Sequence, residues 1–291
     1  MERMGSGEYT YEVIRDFFKS PDGEPFGLIS RVCADDEDRI YVFQRRDPPV
    51  VVFDRNGKHL ASWGTGDVTD PHGLKIFGDT VYTTDRSDSV AKSFTLDGKV
   101  KLALGKAGQH SDTGKVENWL VERAAGPFNH PTEMAKHPIN GDIYITDGYR
   151  NARVHRFSPD GKLKTSWGSP GKGPGQFHLP HSIAFDDAGQ LYVADRSNRR
   201  VQILTPDGEY RGEWAGMGGP NDIVRGKDGN YYIAEQEADG KPAYVCVRDP
   251  QGKVLARLES RHVHGCGVDS HGDVYAGLTQ DRGVDKFVRV R

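Results

Sequence analysis

The chain has 291 residues, and its 39 Lys and Arg against 42 Asp and Glu give a formal net charge of −3. This balance argues against a nucleic-acid-binding protein, which needs a basic surface, and against a polybasic membrane-surface protein. No apolar run approaches the roughly 18 residues of a membrane-spanning helix. The 36 glycines, 12 tyrosines and 12 phenylalanines favour an all-β chain with many turns.

The cellular location is predicted from the first residues and from the cysteines. The N-terminal sequence has no apolar segment typical of a secretory signal. Three widely separated cysteines, Cys33, Cys246 and Cys266, cannot pair completely. We therefore expect a reduced, cytoplasmic protein with no membrane or nucleic-acid partner, and its oligomeric state stays open.

A short pattern recurs six times along the chain: an apolar residue, a tyrosine, and a small or β-branched residue. Its tyrosines are Tyr41, Tyr82, Tyr144, Tyr192, Tyr232 and Tyr275. They lie 41, 62, 48, 40 and 43 residues apart. A period of about 40 to 45 residues is typical of propeller blades. Turn glycines follow the first five tyrosines, and tryptophans end three repeats: Gly57, Gly98, Gly161, Gly208, Gly252, Trp63, Trp167 and Trp214.

Each repeat therefore predicts four short strands, and the whole chain, 1–291, predicts one domain, an all-β six-bladed β-propeller. The last repeat has sequence for only about three strands, so we expect the N-terminal segment 11–17 to supply the fourth and close the ring. An open β-solenoid is the alternative. An insertion at about 106–126, between blades 2 and 3, predicts a short helix around 116–125. It is either a lid or binding loop or a decorative surface loop.

Three histidines occupy the same phase in alternate repeats. His72, His181 and His264 precede their blade tyrosines by 10, 11 and 11 residues, where each innermost strand begins. Alternate blades of a six-fold ring lie about 120° apart, so the three imidazoles are expected to face one point. Three neutral nitrogens with an open position suit Zn²⁺, although Fe, Co or Cu also accepts them.

A second set of polar residues follows the tyrosines by three to five positions. Its aspartates are expected to bond turn amides. Three residues of this set are expected to reach the opening of the central channel that the histidines face: Arg45, Tyr149 and Arg196. An arginine there would grip a carboxylate with two hydrogen bonds, and a tyrosine beside a cation would act as a base.

The stretch 171–214 resembles an NHL repeat, and three stretches resemble peptidyl-α-hydroxyglycine α-amidating lyase. These are PHGLKI (71–76), TDGYRNARVHRFSPDGKLKTSWG (146–168) and PHSIAFDDAGQLYVADRSNRRVQ (180–202). The resemblance covers all six repeats and is strongest over 128–214. It implies a propeller of NHL-type repeats with zinc held by His72, His181 and His264.

The resemblance also implies a reaction and its catalytic residues. Tyr149 would be the catalytic tyrosine, and Arg45 and Arg196 would be the two active-site arginines. The reaction cleaves a carbinolamide, an N-α-hydroxyglycyl amide, to a primary amide and glyoxylate. We expect zinc to lower the pKa of the substrate hydroxyl and an arginine to hold the substrate carboxylate.

Several positions depart from the pattern of that family. Gly265 stands where the family has an aspartate that helps to hold a structural calcium, so calcium is not expected here. His262 is an additional histidine that could replace His264 as a ligand. Arg150 and Tyr192 stand where disulfide cysteines would be expected. These departures favour a small carbinolamide, or a related α-hydroxy acid derivative, over a peptide hormone as substrate.

Two other classes of function remain open from the sequence. One is a metal-dependent hydrolase or hydratase that uses zinc-bound water as the nucleophile. The other is a non-catalytic NHL propeller that binds a protein or RNA.

Overall fold

The computed structural model describes residues 2–290. Unit 1 contains Met1–Val68 and Asn221–Arg291, and unit 2 contains Thr69–Pro220. In the described range nearly all regular structure is β-strand, with a three-residue 3₁₀ helix as the exception. None of the helical structure in that range has the length and apolar character that a bilayer-spanning helix requires.

The N-terminal part of unit 1 contains six strands. They are β1 (Arg3–Ser6), β2 (Tyr9–Ile14), β3 (Ile29–Ala34), β4 (Ile40–Gln44), β5 (Val50–Phe53) and β6 (His59–Trp63). Strands β3 to β6 form one antiparallel sheet in chain order.

Unit 2 contains three four-stranded antiparallel sheets, each in chain order. The first consists of β7 (Pro71–Phe77), β8 (Thr80–Asp85), β9 (Val90–Thr95) and β10 (Val100–Leu104). A small hairpin follows, β11 (Val116–Glu117) and β12 (Leu120–Val121). The second sheet consists of β13 (Pro131–Lys136), β14 (Ile143–Asp147), β15 (Arg153–Phe157) and β16 (Leu163–Trp167).

A two-stranded parallel pair, β17 (Ser169–Pro170) and β18 (Gln176–Phe177), precedes the third sheet of unit 2. That sheet consists of β19 (Pro180–Phe185), β20 (Leu191–Asp195), β21 (Arg200–Leu204) and β22 (Tyr210–Trp214), with the 3₁₀ helix Arg196–Asn198 after β20.

The C-terminal part of the chain forms the last two sheets. One consists of β23 (Pro220–Arg225), β24 (Tyr231–Glu235), β25 (Ala243–Arg248) and β26 (Val254–Ser260). The other contains β27 (Val263–Val268), β28 (Val274–Leu278) and β29 (Gly283–Arg289). Here the strand order is β1-β2-β29-β28-β27, so N-terminal and C-terminal strands share one sheet.

These six consecutive sheets confirm the predicted six-bladed β-propeller. The N-terminal strand β2 pairs with β29, as predicted, although it ends at Ile14 and not near residue 17. Strand β1 adds a fifth strand that the sequence analysis did not predict. Because the last sheet joins both ends of the chain, the open solenoid is wrong. That 1–291 forms a single domain stays a prediction.

Side-chain burial explains the repeated tyrosine pattern. The second strand of each sheet is buried at every position, as in β4, β14, β20, β24 and β28. The fourth strand is largely exposed in β6 and β16. Strands covered on both faces select continuous apolar and aromatic runs, which is the pattern that recurs six times.

The turn glycines have a backbone reason. Gly57 and Gly161 have φ of 94° and 86°, in the left-handed region that a side chain disfavours. They turn the third strand of each sheet into the fourth, and the predicted Trp63 and Trp167 end those fourth strands. The glycine and the tryptophan therefore mark the outer hairpin of a blade.

The predicted helix around 116–125 is wrong, because the segment forms the hairpin of β11 and β12. Its two turn residues, Asn118 and Trp119, have φ of 48° and 66°, which a helix excludes. Val121 is buried in the core of unit 2, and the Thr113 hydroxyl donates to the Arg150 carbonyl at 2.7 Å. The insertion is therefore anchored to the body of unit 2.

Candidate metal centre and catalytic tyrosine

The three predicted histidine ligands occupy one structural register. His72, His181 and His264 are each the second residue of the first strand of a sheet, namely β7, β19 and β27. All three are buried. His72 and His181 lie in unit 2, and His264 lies in unit 1. The phase read from the sequence therefore corresponds to equal positions in the sheets.

A backbone carbonyl holds the His72 ring. Its Nδ1 lies 2.7 Å from the carbonyl oxygen of Thr132, the second residue of β13 in the next sheet. A carbonyl only accepts hydrogen bonds, so Nδ1 carries the proton and donates it. This tautomer places the lone pair on Nε2, which is the state of a metal-binding imidazole.

His264 makes the equivalent contact in unit 1. Its Nδ1 lies 2.8 Å from the carbonyl oxygen of Ser30, the second residue of β3. The Arg31 Nη1 also lies 3.0 Å from this Nδ1, and it lies 2.9 Å from the Ser30 oxygen and 3.2 Å from the His264 oxygen. Arg31 donates to the two carbonyls, and Nδ1 donates to Ser30. His264 therefore has the same tautomer as His72.

The Tyr149 hydroxyl lies between the two imidazoles of unit 2. Its Oη is 3.2 Å from His72 Nε2 and 3.1 Å from His181 Nε2. Arg196 Nη1 donates to the same oxygen at 3.3 Å. Because a phenol has one proton, it donates to at most one of the two rings. Unit 2 thus brings together His72, His181, Tyr149 and Arg196, four of the six predicted site residues.

Four residues occupy equivalent backbone positions in their sheets, namely Arg45, Arg86, Tyr149 and Arg196. Each follows the second strand of its sheet, and its amide donates to the residue that precedes the first strand. The pairs are Arg45 to Leu28 at 2.9 Å, Arg86 to Asp70 at 3.0 Å, Tyr149 to His130 at 3.4 Å and Arg196 to Leu179 at 3.1 Å. Arg45 lies in unit 1, and the other three lie in unit 2.

Arg86 belongs to the second polar set of the sequence, but the sequence analysis did not assign it to the site. Its guanidinium lies 5.1 Å from the centre of the Tyr149 ring, and its Nε donates to Asp70 Oδ2 at 2.9 Å. The signal was available in the sequence, since Arg86 follows its blade tyrosine by four residues, as Arg45 and Arg196 do. Pairing with Asp70 reduces the net charge that Arg86 brings to Tyr149.

The aspartates before these residues bond backbone amides, as predicted. Asp85 accepts from the amides of Thr69 and Asp88 at 2.6 and 3.1 Å, and Asp195 accepts from the amide of His178 at 2.8 Å. Burial raises the pKa of both carboxyls above the usual aspartate range, although these amides oppose the shift. The aspartates therefore shape the loops that carry Arg86 and Arg196.

Gly148 provides the backbone clearance that Tyr149 needs. A Cβ on Gly148 would lie 2.1 Å from the carbonyl oxygen of Pro180, the residue before His181. Only glycine allows so close an approach. Gly148 thus brings the loop that carries Tyr149 against the strand that carries His181.

A buried guanidinium accompanies His264 in unit 1. The Arg31 side chain is fully buried, and its Nε lies 3.6 Å from Asp222 Oδ2. Its Nη2 donates to the Asn221 carbonyl at 3.1 Å. A Cβ on Gly265 would lie 2.7 Å from the Ser30 oxygen and 2.8 Å from the Arg31 Cα. Position 265 therefore admits only glycine unless the neighbouring strand moves. That calcium is not bound stays a prediction.

Neighbouring histidines have other partners. His262 is exposed, and its Nδ1 lies 2.9 Å from Asp281 Oδ2. It precedes β27 and does not share the register of His264. His130 Nδ1 lies 3.0 Å from the Asn129 side-chain oxygen. Burial is the main cause that lowers the pKa of His130 to about 4, and the positive charge of Arg150 is the second cause.

The chain is similar to NHL-repeat proteins and to amidating enzymes. The NHL repeat model matches residues 177–204. Human NHL repeat-containing protein 3 is 32% identical over 213 residues, which are 68% of this chain and 58% of that protein. Peptidyl-glycine alpha-amidating monooxygenase B of Xenopus laevis is 36% identical over 281 residues, 86% of this chain and 30% of that protein.

A probable peptidyl-alpha-hydroxyglycine alpha-amidating lyase of Caenorhabditis elegans is 30% identical over 161 residues, 54% of this chain and 43% of that protein. The chain therefore spans 58% or less of the length of these relatives. Among solved structures, a streptogramin B lyase has a TM-score of 0.67 at 14% identity, covering 97% of this chain and 99% of that one. That likeness establishes the fold alone. The chain is a six-bladed β-propeller that contains an NHL repeat and is similar to the peptidyl-α-hydroxyglycine α-amidating lyases.

Proposed function

We propose that this protein is a metal-dependent lyase that cleaves a small carbinolamide, of the N-acyl-α-hydroxyglycine type, into an amide and glyoxylate. One observation carries the proposal. The Tyr149 hydroxyl lies within 3.2 Å of two buried imidazole Nε2 atoms and receives a hydrogen bond from Arg196. A phenol in this setting is placed to exchange a proton with a ligand bound at the imidazoles.

His72, His181 and His264 are the proposed metal ligands, with zinc as the first candidate and another divalent transition metal as the alternative. The donor set fits, because His72 and His264 each direct Nδ1–H to a backbone carbonyl and keep the lone pair on Nε2. Innermost strands of a propeller line a common channel, so equal registers in alternate blades support a shared site. The ion would supply Lewis-acid polarisation of the substrate hydroxyl.

The residues of the chain account for the proton transfers. As its phenolate, Tyr149 accepts the proton of the substrate hydroxyl, the C–N bond breaks as the aldehyde forms, and the leaving nitrogen takes the proton back from the Tyr149 phenol. One C–N bond is cleaved, one C=O bond forms, and neither water nor a redox partner is consumed. Tyr149 ends each turnover as the phenolate, its starting state.

The arginines orient the substrate in this proposal. Arg196 donates to Tyr149, so a carboxylate bound by the same guanidinium would stand beside the reacting hydroxyl. Arg45 occupies the equivalent loop position in unit 1 and is the second proposed carboxylate contact. The substrate is therefore a small molecule with a carboxylate. A cytoplasmic location remains our prediction. In the described residues no disulfide joins Cys33, Cys246 and Cys266.

The first test combines metal content with product analysis on protein purified without a histidine tag. We expect about one zinc per chain in the parent, retained in the exposed-histidine control His59→Ala and lost in His181→Ala. The parent should convert N-benzoyl-α-hydroxyglycine to benzamide and glyoxylate at a pH where spontaneous cleavage is slow. Absence of bound metal after zinc reconstitution would overturn the proposal.

The same assay separates the other classes of function. An amide hydrolase would release benzoate in place of benzamide, since water would attack the acyl carbon. A non-catalytic propeller would release neither product, and its affinity for a binding partner would be unchanged in His181→Ala.

A further inference from the structure

The hairpin of the 106–126 insertion presents a tryptophan at its turn. Asn118 and Trp119 connect β11 and β12, and both have positive φ. Left-handed backbone is uncommon for a bulky side chain. The Asn118 carbonyl lies 2.7 Å from His178 Nε2, and Val121 is buried below the turn. These contacts fix the place of the tryptophan within unit 2.

The Trp119 ring contacts the candidate catalytic tyrosine. Its centre lies 5.5 Å from that of Tyr149, with the ring planes at 74°. Trp119 nevertheless remains 54% exposed, and two other apolar residues of the same hairpin, Val116 and Leu120, are 40% and 36% exposed. An apolar surface of this kind beside a reactive group is typical of a ligand subsite.

The surroundings of Tyr149 differ from side to side. Its hydroxyl faces His72, His181 and Arg196, which are polar partners suited to the hydroxyl and the carboxylate of the substrate. Its ring has Arg86, a charged group, at 5.1 Å. Trp119 provides the apolar neighbour of Tyr149. The part of the substrate without charge is its N-acyl group, which fits this apolar side.

We propose that Trp119 forms the wall of a subsite for an apolar, preferentially aromatic, N-acyl group of the substrate. This inference rests on the proposed function, because it assigns the carboxylate to the arginine side and the leaving amide to the tryptophan side. An aryl group stacked on the indole would cover surface that the hairpin otherwise exposes to water. The protein then prefers N-aroyl over N-acetyl substrates.

The test compares two substrates in three variants. The substrates are N-benzoyl-α-hydroxyglycine and N-acetyl-α-hydroxyglycine. Trp119→Ala should lower the benzoyl-to-acetyl ratio of kcat/KM about tenfold, mainly through KM, which is the size expected for one aromatic pair. Trp119→Phe should keep most of the ratio. Ile139→Ala, which removes another exposed apolar side chain of unit 2, should leave the ratio unchanged.

A binding measurement separates this inference from the proposed function. N-benzoylglycine lacks the hydroxyl and is not cleaved, so its binding is measured by calorimetry and compared with that of N-acetylglycine. Tighter binding of the benzoyl compound that is lost in Trp119→Ala supports the subsite even if the parent cleaves neither substrate, in which case only the lyase proposal fails. Equal binding of both compounds, or a preference that Trp119→Ala leaves intact, overturns the subsite.

Discussion

His72 in unit 2 and His264 in unit 1 stand at the same register, yet their surroundings differ. Both rings donate from Nδ1 to the second carbonyl of the following sheet. His72 faces the phenol oxygen of Tyr149, whereas His264 lies against a fully buried guanidinium. The common contact sets the tautomer of both rings. The different neighbours separate the proposed proton transfer at Tyr149 from the support of the backbone by Arg31.

The largest effect is expected from Tyr149→Phe, which removes the proposed proton acceptor and leaves the histidines in place. General acid–base catalysis contributes about 10²- to 10⁴-fold, so kcat should fall by that factor. Metal content and the urea midpoint should change little, since only one hydroxyl is lost. Steady-state kinetics with metal analysis measures this, and an unchanged kcat would remove Tyr149 from the reaction.

Arg31→Met tests whether the buried pair of Arg31 and Asp222 stabilises the fold. It leaves Asp222 buried without its cation, and breaking a buried pair costs about 3–5 kcal/mol of unfolding free energy. Urea denaturation measures the loss. The control is Arg211→Met, which breaks the exposed pair with Glu209 and should cost less than about 1 kcal/mol. Equal effects of the two variants would contradict the supporting role of Arg31.

Gly73→Ala tests the carbonyl that holds His72. The added Cβ would lie 2.5 Å from the Thr132 oxygen, so the strands must separate, at a cost of about 1–3 kcal/mol. Zinc affinity should fall with stability, because His72 loses its hydrogen-bond acceptor. Gly212→Ala is the matched control in unit 2, since a Cβ there meets nothing within 4 Å. Metal titration that does not distinguish the two variants would show that this contact is dispensable.

The smallest effect is expected from His130, on the decrease of the unfolding free energy at acidic pH. Its folded pKa, about 4, lies below the unfolded value of 6.5, so the unfolded chain binds more protons between these values. Stability should therefore fall as the pH drops from about 6.5 towards 4. His130→Asn, which tolerates positive φ, should flatten this slope by about 1 kcal/mol, because the ring is only partly buried. Urea midpoints at pH 7 and pH 5 measure it.

Much of the fold and part of the candidate site were predicted from the sequence because both follow the period of the repeats. The blade tyrosines, turn glycines and His72 recur with the period of the sheets, and a periodic sequence maps directly onto equal positions in repeated sheets. The same period places Arg86 at the phase of Arg45 and Arg196, but its contact with the Tyr149 ring was not predicted. Local backbone geometry thus determines which residue types can appear at each phase.

Other features depended on tertiary contacts that no local pattern encodes. The sequence around 116–125 fits a helix, but burial of Val121 and the bond between Asn118 and His178 favour a hairpin. Placement of Trp119 against Tyr149, and of Arg31 against Asp222, joins residues 30 to 191 positions apart. By itself the sequence determined the repeat, the blade count and the histidine register. Tertiary packing decided which side chains surround those histidines, because non-repeated segments are positioned by long-range burial and hydrogen bonding.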